Sequence, residues 1–388
     1  MRVLLVTNLF PSEQEPTRGT FTLNALKALC AIDDVQVVSP LPWWDTWKRP
    51  SQLFTTPVQL HGGVRSHYPT MWAVPRMPVA SAAGCAASIR PLCRRIHRSF
   101  PFEVVLGVWA WPDAAAAGAV ARDFNVPVVV KVVGSDINRL AQRPDLRPRI
   151  GRALNKAAAV IAVSEPLRHA LIELEIPGDR ITVVPGGVNG QMFAIGDRAV
   201  ARDRLGLPHG EQILLYVGNY RTEKGVDLLL EAMRLMNTEG ECPLLLMVGG
   251  GELEAVLRSR AEEWGITGRV RFCGRQLQND LPTWFAAADA FCLASRSEGC
   301  PNVLLEAMSC GRPVVAAAVG GIPNMVTQDT GILVSPEKPD EFAAAIRKAL
   351  AAEWTPERIR AAGAGRTWEE VGGEIHGVLQ RAVAQMRG

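Results

Sequence analysis

The sequence has little with which to bind a metal or to lock itself covalently. Eight cysteines and six histidines are spread over 388 residues. The cysteines, at 30, 85, 93, 242, 273, 292, 300 and 310, form no C-x-x-C pair and meet no histidine cluster. Neither a zinc site nor a disulfide framework is expected, and they read as buried free thiols of a reducing compartment. No stretch approaches the roughly 18 apolar residues of a membrane span. The opening MRVLLVTNLF is too short for a signal peptide and has no cleavage site, so it reads as a first buried strand. Charge is modest too, with 21% charged residues and a net charge of +3, and no nucleic-acid partner is expected. A dinucleotide fingerprint is also missing. VGGGELE at 248–254 offers Gly249 and Gly251 after a strand, but Glu254 stands at the third glycine position. No acidic residue closes a strand about twenty residues further on, which argues against an NAD(P) oxidoreductase.

What is present is a globular composition. Apolar residues reach 48%, and the length accommodates two domains with a substantial core each. Residues 1–190 hold 21 Lys+Arg and 14 Asp+Glu against 21 and 25 in the remainder, so the N-terminal half is the basic one. Short apolar runs at 2–7, 35–39, 63–68, 103–107, 127–132, 159–163 and 181–184 alternate with helical patterns at 20–30, 79–99, 113–124, 145–157 and 165–174. A second series at 212–217, 243–248, 269–273, 289–294, 313–317 and 331–334 ends in a helix over 368–386. Buried strands alternating with helices predict an α/β protein whose parallel sheets are covered on both faces. Pro and Gly gather in VVPGGVNGQMF at 183–193, which puts the domain boundary near 190–205. The expected division is a first domain over 1–195, a second over 196–365, and a closing helix over 366–388.

The chemistry concentrates in SRSEGCPNVLLEAMSCGRPVVAAAVGGIP at 295–323. Apolar runs of strand length bracket a helix that opens at Pro301 and stops at Gly311. A helix N-terminus leaving the carboxyl end of a parallel strand is where such sheets place ligands and where anionic oxygens are favoured. Glu298 precedes the helix and Glu306 lies eight positions later, beside the apolar stripe Val303, Leu304, Ala307 and Met308. An acid at a core edge needs hydroxyl or N–H partners, such as those of a sugar or ribose. The residues alone also allow a plainer account, with Glu298 a solvated loop acid and Glu306 paired to an arginine such as Arg312.

SEGCPNVLLEAMSCGRPVVA, continued by VGGIP, resembles the E-x7-E signature of retaining glycosyltransferases of family 4. The resemblance covers nearly the whole chain. It implies a GT-B fold of two Rossmann-like domains and transfer from a UDP-, GDP- or ADP-linked sugar to a glycan or lipid-linked acceptor, with no metal or other cofactor. Glu306 would bond the ribose hydroxyls and Glu298 would face the donor sugar. Backbone N–H groups around Gly299, Cys300, Asn302 and Val303 would reach sugar and phosphate oxygens. In GNYRTEKGVDLLLEA, Lys224 would offset the diphosphate charge as the glycosidic bond breaks; a surface lysine at a helix start is the alternative. The family pattern places arginine where this chain has Asn219, with Arg221 two residues on as the substitute. FCGRQLQNDLP resembles the segment whose backbone holds the nucleotide base, with Arg275 and Gln276 as candidates or as plain loop residues.

In the first half, TNLFPSEQEPTRGTF resembles the loop that contacts donor phosphates and acceptor in polysaccharide-assembly members. There Gly19 allows close backbone approach and Arg18 neutralises phosphate, or Thr17–Thr20 is only a capped turn. VPVVVKVVGSDIN resembles the strand that ends in His-Gly-Ser-Asp, but Val133 occupies the histidine position. Asp136 remains, for sugar or acceptor contact or as a helix cap. Val133 and Asn219 keep open a catalytically weak scaffold subunit, and a GT-B epimerase on UDP-sugars is a related alternative. SIRPLCRRIHRSF sets Arg90, Arg94, Arg95 and Arg98 against Ile89, Leu92, Cys93 and Ile96, with a kink expected at Pro91. With Trp43, Trp44, Trp47, Lys48 and Arg49 nearby, this helix is a candidate for docking on an anionic membrane surface, or is an ordinary surface helix. The expected address is the cytoplasm, peripheral on the inner membrane face if that docking holds.

Overall fold

A computed structural model describes residues 1–46, 56–73, 77–240 and 242–387. Trp47, Lys48 and Arg49 of the expected basic and aromatic cluster lie outside the described residues. The chain forms two compact units, Met1–Gly186 with Trp368–Gly388, and Gly187–Thr367.

The first unit begins with β1 (Arg2–Val6), α1 (Thr20–Cys30), β2 (Asp34–Val38), β3 (Leu41–Pro42) and α2 (Trp43–Thr46). It continues through β4 (Val58–His61), β5 (Val64–His67), β6 (Thr70–Met71), α3 (Pro78–Ser99), β7 (Val104–Val108) and α4 (Asp113–Phe124). β8 (Val128–Lys131), α5 (Ser135–Asn138), α6 (Arg147–Asn155), β9 (Ala159–Ala162), α7 (Glu165–Ile172) and β10 (Ile181–Val183) complete it. The eight-stranded sheet runs in the order β10-β9-β8-β7-β1-β2-β5-β4. All its pairs are parallel except β4 with β5. Strand order therefore reverses direction between β1 and β7, which places the loops after those two strands at a switch point.

β4 was not legible in the sequence because its apolar residues Val58 and Leu60 face outward, 53% and 72% exposed. Helix α3 continues across Pro91. Its stripe of Ile89, Leu92, Cys93 and Ile96 is buried, so the apolar face of this basic helix is taken up by the unit's own core. Arg90 pairs with Asp123 at 2.7 Å, while Arg94, Arg95 and Arg98 are exposed.

The second unit holds α8 (Arg198–Leu205), β11 (Ile213–Asn219), α9 (Val226–Thr238), β12 (Leu244–Gly250), α10 (Glu254–Glu263), β13 (Val270–Gly274) and α11 (Leu281–Ala287). It goes on with β14 (Ala290–Leu293), α12 (Asn302–Ser309), β15 (Val314–Ala317), β16 (Gly331–Val334), α13 (Pro339–Ala351) and α14 (Pro356–Gly363). Its six strands are all parallel in the order β13-β12-β11-β14-β15-β16, and the strand order reverses between β11 and β14. Residues 187–195, expected with the first domain, group with this unit. Val188 and Phe193 are buried in its core, and the Val188 N–H bonds the Arg366 carbonyl.

The chain ends in α15 (Trp368–Arg387), which belongs to the first unit. Val371, Ile375, Val378, Leu379, Ala382 and Val383 recur at helical spacing and are all buried. Gly372 lets α15 lie close on α1, since a Cβ there would stand 2.8 Å from Ala28. The fold is thus two doubly wound α/β units, the first on a sheet that is parallel but for β4 and the second on a fully parallel one.

Candidate functional site

In the second unit the two candidate catalytic residues meet at the switch point. β11 runs into a short turn, Thr222–Lys224, and Gly225 then opens α9. Gly225 has φ +60°, and a Cβ on it would fall 1.8 Å from the Ala294 carbonyl oxygen, so only glycine lets the loops after β11 and β14 touch. Across that contact the Lys224 Nζ donates to Glu298 Oε1 at 2.7 Å and Oε2 at 2.9 Å. Ser295 Oγ donates to Oε1 at 2.7 Å. Glu298 is only 8% exposed, which excludes a solvated loop acid. A buried carboxylate is stable here because three donated hydrogen bonds replace water.

Glu306, in the second turn of α12, is half-buried and differently placed. Its hydrogen bond among the described residues is a long one from Gln278 Nε2, 3.4 Å. Desolvation pushes its carboxyl up to about 7, with the Gln278 bond opposing. Arg312 does not neutralise it. That guanidinium is spent on the carbonyls of Cys310 at 3.2 Å and Ala288 at 3.0 Å. Glu306 therefore retains acceptor capacity for hydroxyl groups.

At the start of α12 the N–H groups of Gly299, Asn302 and Val303 take no partner among the described residues. The Asn302 Oδ1 is buried and also unpartnered. Cys300 Sγ lies 3.9 Å from Met325 Sδ. The N–H groups of Asn302 and Val303 are the orphans expected of a helix N-terminus, and that of Gly299 lies in the loop just before it.

Arg275 reaches the ends of β11 and β12, donating to Asn219 Oδ1 at 3.1 Å and to the Gly250 carbonyl at 3.3 Å. Arg221 is half-exposed, and its side chain makes only a loose 3.9 Å contact, to Glu223, among the described residues. Gln276 folds back on its own strand, donating to the Cys273 carbonyl at 2.9 Å.

The first unit holds the remaining candidates. Gly19 is the left-handed residue before α1, φ +63°, where a Cβ would meet the Leu9 carbonyl oxygen at 2.2 Å. Arg18 pairs with Glu15 at 2.7 Å within the loop after β1. Asp136 is fully buried, and its oxygens accept the N–H groups of Gly134 at 2.8 Å, Ala110 at 3.0 Å and Val133 at 3.1 Å. Burial raises it to about 6 against the pull of those amides. It ties the loops after β7 and β8 together, and the Val133 side chain packs against the core.

Sequence reasoning passed over four residues. Ser295, Arg296 and Asp227 surround the Lys224–Glu298 pair, and the only local signal was their closeness to those two in sequence. Asp113, at the start of α4, is completely buried. It accepts the Asn8 N–H at 2.8 Å through Oδ2, while Oδ1 finds no partner among the described residues. The signal there was an acid at a helix start directly after a strand. No group of three or more His, Cys, Asp or Glu that could hold a metal ion is found among the described residues. No helix among them is long and apolar enough to cross a membrane.

Comparison with known proteins agrees with this arrangement. Residues 197–366 match the family model "Glycosyl transferases group 1" and residues 19–187 match "Glycosyl transferase 4-like domain". The chain is 33% identical to the D-inositol 3-phosphate glycosyltransferase of Frankia alni over 289 residues, 70% of this chain and 71% of that one. TuaC of Bacillus subtilis (strain 168), provisionally named as a teichuronic acid biosynthesis glycosyltransferase, is 26% identical over 378 residues, covering 92% of this chain and 91% of TuaC. Among solved structures, a sucrose-phosphate synthase from Thermosynechococcus elongatus superposes with a TM-score of 0.81 at 22% identity, over 99% of both chains. HepE from Anabaena, in complex with UDP, gives 0.74 at 18% identity over 98% of this chain and 100% of that one. The two matching models, the long relative above 30% identity and the doubly wound units together establish that this chain belongs to the family 4 glycosyltransferases, of GT-B fold.

Proposed function

We propose that the protein transfers a sugar from a nucleotide-sugar to a glycan or lipid-linked acceptor in cell-surface polysaccharide synthesis, with retention of configuration and without a metal. The observation that carries the reading is the Lys224–Glu298–Ser295 cluster at the switch point, with a carboxyl short of partners at Glu306 and the unpartnered N–H groups of α12 beside it. HepE, which shares the fold, binds UDP, and the provisional name of TuaC supports a surface polysaccharide as product.

In this reading Glu306 accepts the ribose hydroxyls, and the α12 N–H groups with Lys224 take the diphosphate. An ammonium has three N–H donors, so Lys224 can keep Glu298 and still offer one to a phosphate oxygen. As the glycosidic bond breaks on the front face, that charge stabilises the departing diphosphate. The diphosphate oxygen removes the acceptor's proton, and Glu298 orients the sugar without becoming a covalent nucleophile. Arg18 and Gly19, in the first unit's loop after β1, are the candidates for contact with donor phosphates or acceptor, and Asp136 acts through the loops it ties together.

The test is thermal unfolding with UDP, GDP, ADP and NAD for wild type and Glu306→Ala. A ligand at about a hundredfold over its dissociation constant adds roughly 2.7 kcal/mol. Stabilisation of the wild type alone by one nucleoside diphosphate supports the reading; none for any nucleotide refutes it. Unchanged turnover in a chelator checks metal independence, and product formed without acceptor would indicate an epimerase instead. A second reading, a catalytically weak scaffold subunit, is favoured by one observation: the position of the family histidine holds Val133, an apolar side chain packed against the core. Nucleotide binding with no transfer to any acceptor would support it. Membrane association, if present, would draw on exposed Trp44 and Trp72, 41% and 53% accessible, and on the outer arginines of α3. Equal sedimentation with neutral and anionic vesicles would rule it out.

A further inference from the structure

Lys224 and Glu298 stand on two separate loops, and their own ion pair is not all that joins them. Arg296, two residues before Glu298, grips the other loop at several points. Its Nη1 and Nη2 form a fork on Asp227, at 2.7 Å to Oδ1 and 2.9 Å to Oδ2. Nη1 also donates to the Thr222 carbonyl at 2.8 Å, and the Arg296 main-chain N–H to the Glu223 carbonyl at 2.9 Å. Nε bonds the more exposed Glu337 at 2.9 Å. Thr222 and Glu223 immediately precede Lys224, and Asp227, in the first turn of α9, lies three residues after it.

The fork is sheltered, with Arg296 and Asp227 side chains 24% and 26% exposed. Burial pulls the Asp227 carboxyl upward, but hydrogen bonds and charge from Arg296 outweigh it and hold the group below its usual range. A planar guanidinium on a carboxylate fixes angle as well as distance, which a lysine ammonium does not. The clamp therefore brackets Lys224 from both sides in sequence and ties that bracket to the Glu298 loop.

We propose that Arg296 is a positioning residue for the diphosphate. By its fork on Asp227 it fixes the loop that carries Lys224 against the Glu298 loop, so that the ammonium keeps its pair with Glu298 and presents its remaining N–H to a phosphate oxygen. The inference rests on the reading of Lys224 as the diphosphate contact, and the experiment separates the two.

Titration calorimetry is run with UDP and UMP, and with the GDP/GMP and ADP/AMP pairs, on wild type, Lys224→Ala, Arg296→Ala, Arg296→Lys and Asp227→Asn. The readout is the preference for the diphosphate over the monophosphate of the base that the wild type binds. Lys224→Ala should lose about tenfold of that preference, the scale of one charged hydrogen bond. Arg296→Ala and Asp227→Asn should lose roughly three- to tenfold, with monophosphate affinity within about twofold of wild type. Arg296→Lys should behave like Arg296→Ala, because it keeps the charge and loses the fork. Parallel loss of both affinities, or full rescue by lysine, would mean a merely structural role and overturn the inference. If Arg296→Ala does not fold, Arg296→Lys and Asp227→Asn decide alone. An unchanged preference in Lys224→Ala, or no diphosphate binding by wild type, overturns the parent reading. An effect in Lys224→Ala with none in the Arg296 and Asp227 variants overturns only this one.

Discussion

The guanidinium of Arg275 donates to Asn219 Oδ1 at 3.1 Å. Asn219 ends β11 where the family pattern has an arginine, so a positive charge is brought to this place from β13's end. The Arg221 side chain, nearer in sequence, has only its loose contact with Glu223 among the described residues. Arg275→Ala should therefore weaken nucleoside-diphosphate binding about five- to twentyfold, and Arg221→Ala less than about threefold. Calorimetry on the two variants checks the ranking, and the reverse order would restore Arg221 as the substitute.

Glu306 makes nucleotide binding depend on pH. Its carboxyl sits near 7 in the free protein, up from an ordinary 4.5. Ribose hydroxyls donating to it favour the ionised form, so binding releases a proton wherever the free group is protonated. Affinity should be flat above about pH 8 and fall as pH drops through 7, by up to tenfold per unit. Glu306→Gln should bind weakly with no such slope. Titration across pH, in buffers of different ionisation heat, measures both the slope and the proton released.

The fold was largely legible, because its cores sit on periodic patterns. The predicted helices at 20–30 and 113–124 coincide with α1 and α4, whose apolar residues recur on one face and are buried. β4 escaped because an edge strand can turn Val58 and Leu60 outward and hold its place by main-chain bonds to β5 alone. The cysteines were read as buried free thiols, and Cys85, Cys93, Cys292 and Cys310 are buried, while the other four are only partly so. In the site, the motif marked Glu298 and Lys224, yet their ion pair spans 74 positions and the Arg296–Asp227 fork 69. Such pairings are decided by which strands neighbour one another at the switch point, which periodicity does not encode. Asp136 shows the same limit. Its three amide partners come from two loops, so its inward orientation depends on β7 and β8 being adjacent.

Asp113 should make the fold more stable in mild acid than in base. Burial raises its carboxyl from 3.8 to about 8, the Asn8 amide pulling the other way. Between those values the folded protein holds a proton that the unfolded chain has released. The contribution is therefore full below about 3.8 and declines as pH rises toward 8. Asp113→Asn keeps an acceptor for the Asn8 N–H and removes the titration. Its melting temperature relative to wild type should rise between about pH 5 and pH 8, by roughly 2–4 °C per kcal/mol of difference. Parallel melting profiles across that range would show that the buried oxygen is already satisfied, for instance by water.

The Lys224–Glu298 pair separates chemistry from support. Removing Lys224 takes two donated hydrogen bonds from Glu298, which is 8% exposed, and leaves that of Ser295 Oγ at 2.7 Å. Stranding a buried carboxylate costs about 1–3 kcal/mol, reduced here because the lysine itself is 29% exposed and partly screened. Lys224→Ala should thus lose stability as well as turnover, and Glu298→Gln should recover part of the first when added to it but none of the second. In a double-mutant cycle, melting temperatures should show the coupling of two groups in contact, while transfer or donor-hydrolysis rates stay low in every variant lacking Lys224. If the double variant regains turnover, the lysine's effect on rate runs through the buried acid, and the ammonium is not what stabilises the leaving diphosphate.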